Sequence, residues 1–376
     1  MKDFIAVVNA FKQIDFSQRK AALATVVRVR GSSYRGPGAR MLITDDGRWT
    51  GSISGGCLEG DALRKARQVM NDERAITVTY DTREESNQNL GISLGCNGVI
   101  DVLIEPVVPS DKNNPVLLFE SFIHSKEPLA LATIFSSSQI GSKFLLDQNQ
   151  EKVESDWDDR LVNELSQIFS SKKSEVKNFF FGGEETEVFL ELIQPTVSLL
   201  IFGGGFDARP VSKLAQSIGW NVQITDECVA HLAPVFFPDA KLSLCQREFI
   251  DRDFEITPYT ASVLMSHNYD YDRDVLRKLI KTETPYIGIL GPRKRFDKMF
   301  EEFVTEGITF TKKDLSRIHS PIGLDIGAEA PDEIAVSIVA EVQAKFANRE
   351  GRFLKSIDGP IHQRDPQSNQ VLKRNF

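Results

Sequence analysis

The stretch that decides the fold of the C-terminal half is Ser198-Leu-Leu-Ile-Phe-Gly-Gly-Gly-Phe-Asp-Ala-Arg-Pro-Val-Ser-Lys-Leu-Ala-Gln-Ser-Ile-Gly-Trp-Asn-Val-Gln-Ile-Thr-Asp226. Its apolar run from Ser198 to Phe202 predicts a strand that is buried on both faces. Gly203, Gly205 and Ala208 then have the spacing G-x-G-x-x-A, which permits a tight turn, close backbone approach to a phosphate and close packing of the next helix. Asp226 ends the second strand, where it could accept a hydrogen bond from a ribose hydroxyl.

Strand, glycine turn, helix, strand and acid in this order predict a Rossmann-like unit with a doubly wound parallel sheet, which we place at residues 196–346. Ligands of such sheets bind beyond the carboxyl ends of the strands, where we expect His267, Gly291 and Arg293. His267 could act as a base or ligand, or only cap a turn. Arg293 could help to clamp a phosphate, or only begin a solvated helix. Residues 347–376 are predicted to form a polar tail.

Composition narrows the class of protein. The chain has 376 residues, 41% hydrophobic and 26% charged, with a net charge of −8, so a soluble globular protein without a nucleic-acid surface is expected. No apolar run approaches the roughly 20 residues that span a bilayer, and the N-terminus does not resemble a signal peptide. The four cysteines form no C-x-x-C motif, so zinc-ribbon and thioredoxin-like sites are not expected. The low number of cysteines and the missing export signal predict a cytoplasmic protein.

A cysteine follows two glycines in the N-terminal half, an α+β domain that we place at residues 1–195. Gly55 and Gly56 precede Cys57, and a helix is predicted to start at about Cys57. The amides and dipole at a helix N-terminus favour thiolate, so we expect a functional thiol. The alternative is a small buried residue at a tight junction.

A second cysteine lies in a similar setting. Gly95, Cys96 and Asn97 form a glycine-flanked turn before a strand, where side-chain and backbone donors can converge. Cys57 and Cys96 could together hold a metal, carry a persulfide or form a redox pair, or each could be a small turn residue.

The N-terminal domain has an internal repeat of two related halves, about 1–110 and 111–195. Ala22-Leu-Ala-Thr-Val26 matches Ala130-Leu-Ala-Thr-Ile134, and a helix follows in both halves. Only the first half has the cysteines, so we expect the first half to carry the chemistry and the second to complete a sheet. A chance match between two ordinary α/β segments is the alternative.

Several motifs together resemble the xanthine dehydrogenase accessory family, XdhC/CoxI. The resemblance extends over nearly the whole chain, except residues 107–190 and the tail. The matching stretches are Gly31–Arg40, Gly51–Glu59, Leu94–Gly98, Gly203–Gly205, Ser266-His267, Gly288–Arg293, His319–Gly327 and Pro331–Ser337.

The resemblance implies a maturation factor rather than a turnover enzyme. Such a protein binds and protects the molybdenum cofactor (molybdopterin). It supports sulfuration with a cysteine desulfurase and passes the product to a xanthine dehydrogenase-like molybdenum hydroxylase. Cys57 and Cys96 would meet molybdenum or handle sulfur, while His267, Arg293, Gly323 and Asp325 would line the cofactor cleft. The glycine loop departs from many relatives, because Phe206 and Asp207 stand where those have histidine and a small residue.

Two functions therefore follow from the sequence. The first is a molybdenum cofactor chaperone and insertion factor. The alternative is an NAD(P)-dependent oxidoreductase, which would use Gly203 to Asp226 for the cofactor and His267 as acid or base. Phe206 and Asp207 would crowd or repel a pyrophosphate, which argues against that alternative. A purely structural or scaffold role is the remaining possibility. A homodimer is expected from general frequency.

Overall fold

The computed structural model describes residues 2–83, 98–111, 114–148, 158–358 and 361. These residues form two compact units, one within 1–195 and one within 196–357. Residues 347–357, which we expected in a separate tail, group with the second unit. No helix in the described part of the chain is long and apolar enough to cross a bilayer.

The first half of the N-terminal unit is a five-stranded antiparallel sheet with a helix on it. Strands β1 and β5 pair along almost their whole length at the centre, and the strand order is β3-β2-β1-β5-β4. The apolar side of α2 packs on this sheet with Ala62, Ala66 and Val69. The elements are α1 (Lys2–Lys12), β1 (Ala21–Gly31), β2 (Arg40–Thr44), β3 (Trp49–Gly51), α2 (Glu59–Asp72), β4 (Ile76–Asp81) and β5 (Gly98–Val107).

The second half repeats this arrangement. Its elements are α3 (Pro115–His124), β6 (Leu129–Ile134), β7 (Lys143–Asp147), α4 (Asp159–Ser171), β8 (Glu175–Phe181) and β9 (Glu184–Ile193). The sheet order β7-β6-β9-β8 reproduces β2-β1-β5-β4 of the first half, with antiparallel pairing throughout. The predicted α+β fold of two related halves is therefore confirmed, and the repeat also includes α3 and β8, which sequence matching did not detect.

Among the described residues, three ion pairs join the sheets of the two halves, and an exposed fourth pair, Lys12–Glu120, joins α1 to α3. Arg40 of β2 pairs with Glu191 of β9, with guanidinium-to-carboxylate distances of 2.5 and 3.0 Å, and only 3% and 9% of these side chains are exposed. Lys143 of β7 pairs with Glu105 of β5, and both side chains are 6% exposed. Arg28 of β1 pairs with Glu187 of β9. Each pair takes its base from one half and its acid from the other.

The C-terminal unit is a six-stranded parallel sheet in the order β12-β11-β10-β13-β14-β15. This is the Rossmann order, which reverses direction between β10 and β13 and leaves a crevice there. The prediction of a Rossmann-like doubly wound sheet is confirmed. The elements are β10 (Ser198–Phe202), α5 (Ala208–Ser217), β11 (Asn221–Asp226), β12 (Lys241–Leu244), α6 (Ile250–Asp253), β13 (Thr260–Leu264), α7 (Tyr269–Leu279), β14 (Tyr286–Ile289), α8 (Arg293–Thr305), α9 (Lys312–Ser316), β15 (Ile318–His319) and α10 (Pro331–Phe346).

Strand β10 is buried on both faces, as its continuous apolar run predicts. Leu199 and Ile201 point to one side, into a core that includes residues of α5 and α10. Leu200 and Phe202 point to the other side, into a core with residues of α7 and α8. Burial of each such side chain contributes about 1.5–3 kcal/mol, which fixes the strand whose end carries the glycine loop.

Candidate functional site

Cys57 lies in an exposed turn between β3 and α2. Gly55 and Gly56 are exposed, the Cys57 side chain is partly exposed, and its thiol is in no disulfide. Gly56 has φ +112°, a conformation that favours glycine. Helix α2 begins at Glu59 with Leu58 as its N-cap, so Cys57 precedes the helix instead of starting it.

The buried carboxylate of Glu59 holds this turn. It accepts hydrogen bonds from the Ser54 amide at 2.9 Å, the Ser52 hydroxyl at 2.9 Å and the Leu58 amide at 3.2 Å. It also accepts one from the Ser54 hydroxyl. The Ser54 oxygen in turn accepts from the amides of Gly56 at 3.2 Å and Leu58 at 3.1 Å. The backbone on both sides of Cys57 is therefore fixed by two side chains, those of Glu59 and Ser54.

Glu59 is charged at neutral pH. Burial favours its neutral form, but the hydrogen bonds from Ser54 and Ser52 outweigh burial and hold the pKa of the carboxyl below its ordinary value. The N-terminal end of α2, which we expected to favour thiolate at Cys57, thus already faces a carboxylate. Sequence analysis missed Glu59; its signal is an acid in the first helical turn after a serine-containing loop.

Tyr34 lies over the same turn. A Cβ on Gly55 would lie 3.4 Å from the Tyr34 ring, and this ring is 73% exposed. The loop that carries Tyr34 also meets the start of β5, because a Cβ on Gly98 would lie 2.3 Å from the carbonyl oxygen of Ser32. The loop between β1 and β2 is thus adjacent both to the cysteine turn and to the first residue of β5.

Gly95, Cys96 and Asn97 lie outside the described residues. Among the described residues, no group of three or more His, Cys, Asp or Glu side chains is placed to hold a metal ion. The part of the predicted thiol site that the structure describes is therefore the turn at Cys57.

The glycine loop of the C-terminal unit is closely packed. Gly203 has φ +116°, and a Cβ there would lie 2.5 Å from the Cα of Ser266. A Cβ on Gly204 would lie 2.6 Å from the carbonyl oxygen of His231. The segment after β11 therefore covers Gly204, at the turn that approaches phosphate in dinucleotide-binding proteins.

Asp226, predicted to meet a ribose, is engaged by its own chain. Its carboxylate accepts hydrogen bonds from the amides of Gly204 and Cys228, both at 2.8 Å, and lies 2.9 Å from Nδ1 of His231. The residue is 9% exposed. A ribose hydroxyl would have to displace these partners. The contact between Asp226 and His231 could not be predicted, because no sequence motif marks the turn that contains His231.

His267 lies at the crevice between β10 and β13, where the sequence places it. Its Nε2 is 3.1 Å from a carboxylate oxygen of Asp207, and its backbone φ is +59°, which residues with a side chain rarely adopt. A Cβ on Gly205 would lie 3.8 Å from Cδ2 of the imidazole. The structure thus brings His267 beside Gly205, with Asp207 as its partner.

Arg293 is exposed at the first residue of α8 and forms no ion pair within the described part of the chain. The neighbouring Arg295 pairs at 2.7 Å with Asp272, which is buried and also accepts a hydrogen bond from Ser266 at 2.6 Å. Arg295 therefore supports the loop before His267, and of these two arginines it is Arg293 that is free to meet an anion.

Gly323 belongs to a network around Glu341 that sequence analysis missed. Its amide donates to Glu341 at 2.7 Å, as the Tyr286 hydroxyl does at 2.5 Å, and Nδ1 of His319 lies 3.0 Å away. Burial opposes ionisation of Glu341, but the hydrogen bonds from His319 and Tyr286 prevail and lower the pKa of the carboxyl. Asp325, by contrast, is exposed.

Comparison with known proteins adds the following. Residues 199–342 match the XdhC Rossmann domain, and residues 17–81 match the XdhC and CoxI family. The chain is 32% identical over 343 residues to a protein of Bacillus subtilis named as a probable xanthine dehydrogenase subunit, covering 91% of this chain and 97% of the relative. It is 24% identical over 338 residues to the molybdenum cofactor insertion chaperone PaoD of Escherichia coli, covering 89% and 86%.

A solved structure is also similar. A xanthine dehydrogenase from Bacillus halodurans superposes with a TM-score of 0.73 at 28% identity, and the match covers 93% of this chain and 97% of that one. The similarity extends through both units and is not limited to the common Rossmann sheet.

Proposed function

Because this chain belongs to the XdhC and CoxI family, we propose that it is a maturation factor that binds the molybdenum cofactor as cargo and inserts it into a xanthine dehydrogenase-type molybdenum hydroxylase. The relative named as a molybdenum cofactor insertion chaperone supports this function. The proposal also includes protection of the cofactor and support for its sulfuration.

The observation that carries the proposal is the turn at Cys57. A free, partly exposed thiol lies between two backbone segments that are held by hydrogen bonds to the side chains of Glu59 and Ser54. Thiolate is a soft ligand that suits molybdenum or can carry sulfur. A fixed turn presents that sulfur without the entropy cost of ordering it at each binding event.

The cargo offers groups that such a turn can meet. It combines molybdenum on a dithiolene with a pterin ring and a phosphate. Cys57 would approach the molybdenum end, and the exposed backbone of Gly56, where an added Cβ would meet nothing within 4 Å, leaves room for a bulky ligand. Cys96 with Gly95 and Asn97, and His267, Arg293, Gly203, Gly205, Gly323 and Asp325, remain proposed contributors.

The partners follow from the same proposal. A cysteine desulfurase would supply the sulfur, and the client would be a molybdenum hydroxylase. A cytoplasmic homodimer remains our expectation, and sedimentation of the purified protein would test the dimer.

An NAD(P)-dependent oxidoreductase is less well supported. Asp226 is occupied by Gly204 and His231, and Phe206 is 65% exposed beside the loop that a pyrophosphate would approach. A carboxylate at Asp207 adds negative charge to the same loop. Saturable NAD binding that is weakened by Asp226→Ala would reverse this ranking.

The test is an anaerobic equilibrium titration of the full chain with molybdenum cofactor, beside a titration with NAD. Cys57→Ser should lower cofactor retention at least about ten-fold, equivalent to about 1.4 kcal/mol. Cys228→Ser is the matched control, because Cys228 is an exposed free cysteine of the other unit. Equal retention by wild type and Cys57→Ser would exclude the thiol from the site, and no cofactor binding by wild type would refute the function itself.

A further inference from the structure

A groove beside α5 is not used by the proposed function. This α5 groove has a volume of about 620 Å³ and lies between α5, the segment that joins β11 to β12, and the start of α10. Its principal lining residues are Phe206, Arg209, Ser212, Lys213, Phe236 and Asp239. The volume is within the range of sites that take small molecules.

Arg209 gives the groove an aromatic and cationic surface. The guanidinium carbon lies 3.5 Å from the ring centre of Phe236 and 5.3 Å from that of Phe206. Phe206 is 65% exposed, so most of this ring is available to a further planar group. Guanidinium and aromatic faces are the surfaces on which flat heterocycles stack.

The cations of the groove have no acidic partner. Arg209 and Lys213 lie one turn apart on α5, and neither forms an ion pair within the described part of the chain. The Nε atom of Arg209 is buried without a hydrogen-bond partner. The charge at this end of the groove is therefore free to meet an anion.

A buried hydroxyl also lacks a partner. Ser212, between the two cations on α5, is 1% exposed, and its oxygen forms no hydrogen bond among the described residues. Buried polar groups are normally satisfied, so this atom is an independent sign of a missing partner.

The acids of the groove restrict its ligand. Asp239 and Asp332 also line it, and neither approaches Arg209 or Lys213 within ion-pair distance. Two carboxylates against two cations disfavour a polyanion such as a pyrophosphate. They leave room for one anionic group at the cationic end.

We propose that the α5 groove binds a small molecule that joins a planar heterocycle to a single anionic group, of the class of a nucleoside monophosphate. The ring stacks on Phe206 next to the guanidinium of Arg209. The anionic group meets Arg209 and Lys213. The α5 groove shares no residue with the Cys57 turn, and the proposal does not depend on the function proposed above.

The experiment is a calorimetric titration of the full chain with guanosine 5′-monophosphate, guanosine and inorganic phosphate. The monophosphate should bind at least about ten-fold more tightly than either part alone. Arg209→Ala should weaken monophosphate binding about ten-fold or more, and Phe206→Ala should weaken monophosphate and guanosine alike. Lys281→Ala removes an exposed cation elsewhere in the unit and should change nothing.

Three results would overturn the proposal. They are no saturable binding at about 10 mM monophosphate, unchanged affinity in Arg209→Ala, and phosphate binding as tight as the monophosphate. If Arg209→Ala does not fold, Lys213→Ala provides the same comparison with the stacked guanidinium intact. Dimerisation of the free protein that Phe206→Ala abolishes would show that a second copy covers the groove, which would also refute a small-molecule site.

Discussion

Replacing Glu59 by Gln should loosen the turn that carries Cys57 without removing any apolar packing. The charged acceptor of Ser54, Ser52 and Leu58 becomes an amide. One amide oxygen can still accept, but the new NH₂ group faces donors. One carboxylate oxygen accepts from the Ser54 amide and the Ser52 hydroxyl, and the other accepts from the Ser54 hydroxyl and the Leu58 amide. The NH₂ group therefore displaces two of these four hydrogen bonds, whichever oxygen it replaces.

Two hydrogen bonds to a charged acceptor, at about 1.5 kcal/mol each, predict that Glu59→Gln lowers the free energy of unfolding by about 3 kcal/mol. Asp72→Asn is the matched control, because it replaces another acid of α2 by its amide. Asp72 is exposed and forms no ion pair within the described part of the chain, so this change should cost less than about 0.5 kcal/mol. Urea denaturation of both variants measures the difference.

Two further readouts follow from the same carboxylate. Its pKa is lower in the folded protein than the ordinary 4.5, so Glu59 contributes stability above that pH and loses it as the pH falls through the folded-state value. Glu59→Gln should remove this part of the acid sensitivity. The rate of alkylation of Cys57 by iodoacetamide, followed by peptide mass spectrometry, should rise in Glu59→Gln and not in Asp72→Asn. Unchanged stability together with an unchanged alkylation rate would refute the reasoning.

Three other changes test the scaffold. Glu191→Ala leaves Arg40 buried and unpaired and should cost about 3–5 kcal/mol in urea denaturation, whereas Arg40→Met combined with Glu191→Leu should recover most of that loss; equal effects of the single and double changes would contradict this. Gly203→Ala should cost more than about 3 kcal/mol because of the backbone contact at 2.5 Å, and Gly307→Ala, with positive φ but open space, should cost only about 1 kcal/mol. Glu341→Gln should lower the melting temperature of the C-terminal unit by calorimetry, since it weakens the acceptor for three groups, and an unchanged melting temperature would show that water replaces it.

The sequence allowed the Rossmann-like sheet and the two related halves to be predicted, because both depend on local patterns. The continuous apolar run from Ser198 to Phe202 predicts a strand that is buried on both faces of the sheet. The glycine spacing after it marks a turn that a Cβ would block at Gly203. Matching segments such as Ala22–Val26 and Ala130–Ile134 occupy equivalent central strands, as repeated patterns should.

The contacts of the candidate site could not be predicted in the same way. The role of Glu59 depends on a loop that folds back so that Ser52 and Ser54 meet it, and no periodicity reports that geometry. One partner of Asp226 is His231, five residues later, whose position depends on packing against Gly204. Side chains that meet only after the chain has folded leave no spacing signal in the sequence.

Because ion pairs join the two N-terminal halves, neither half should be stable as an isolated fragment. A gene divided near residue 111 would yield a first fragment in which Arg40 and Glu105 lack their acidic or basic partners and Arg28 keeps only Asp101. Its counterpart would carry the complementary charges. Neither fragment should accumulate in a folded form, yet the two should find each other when produced together. This duplicated domain therefore offers a natural split-protein pair, held in register by charges that a mismatched partner would leave buried and unpaired.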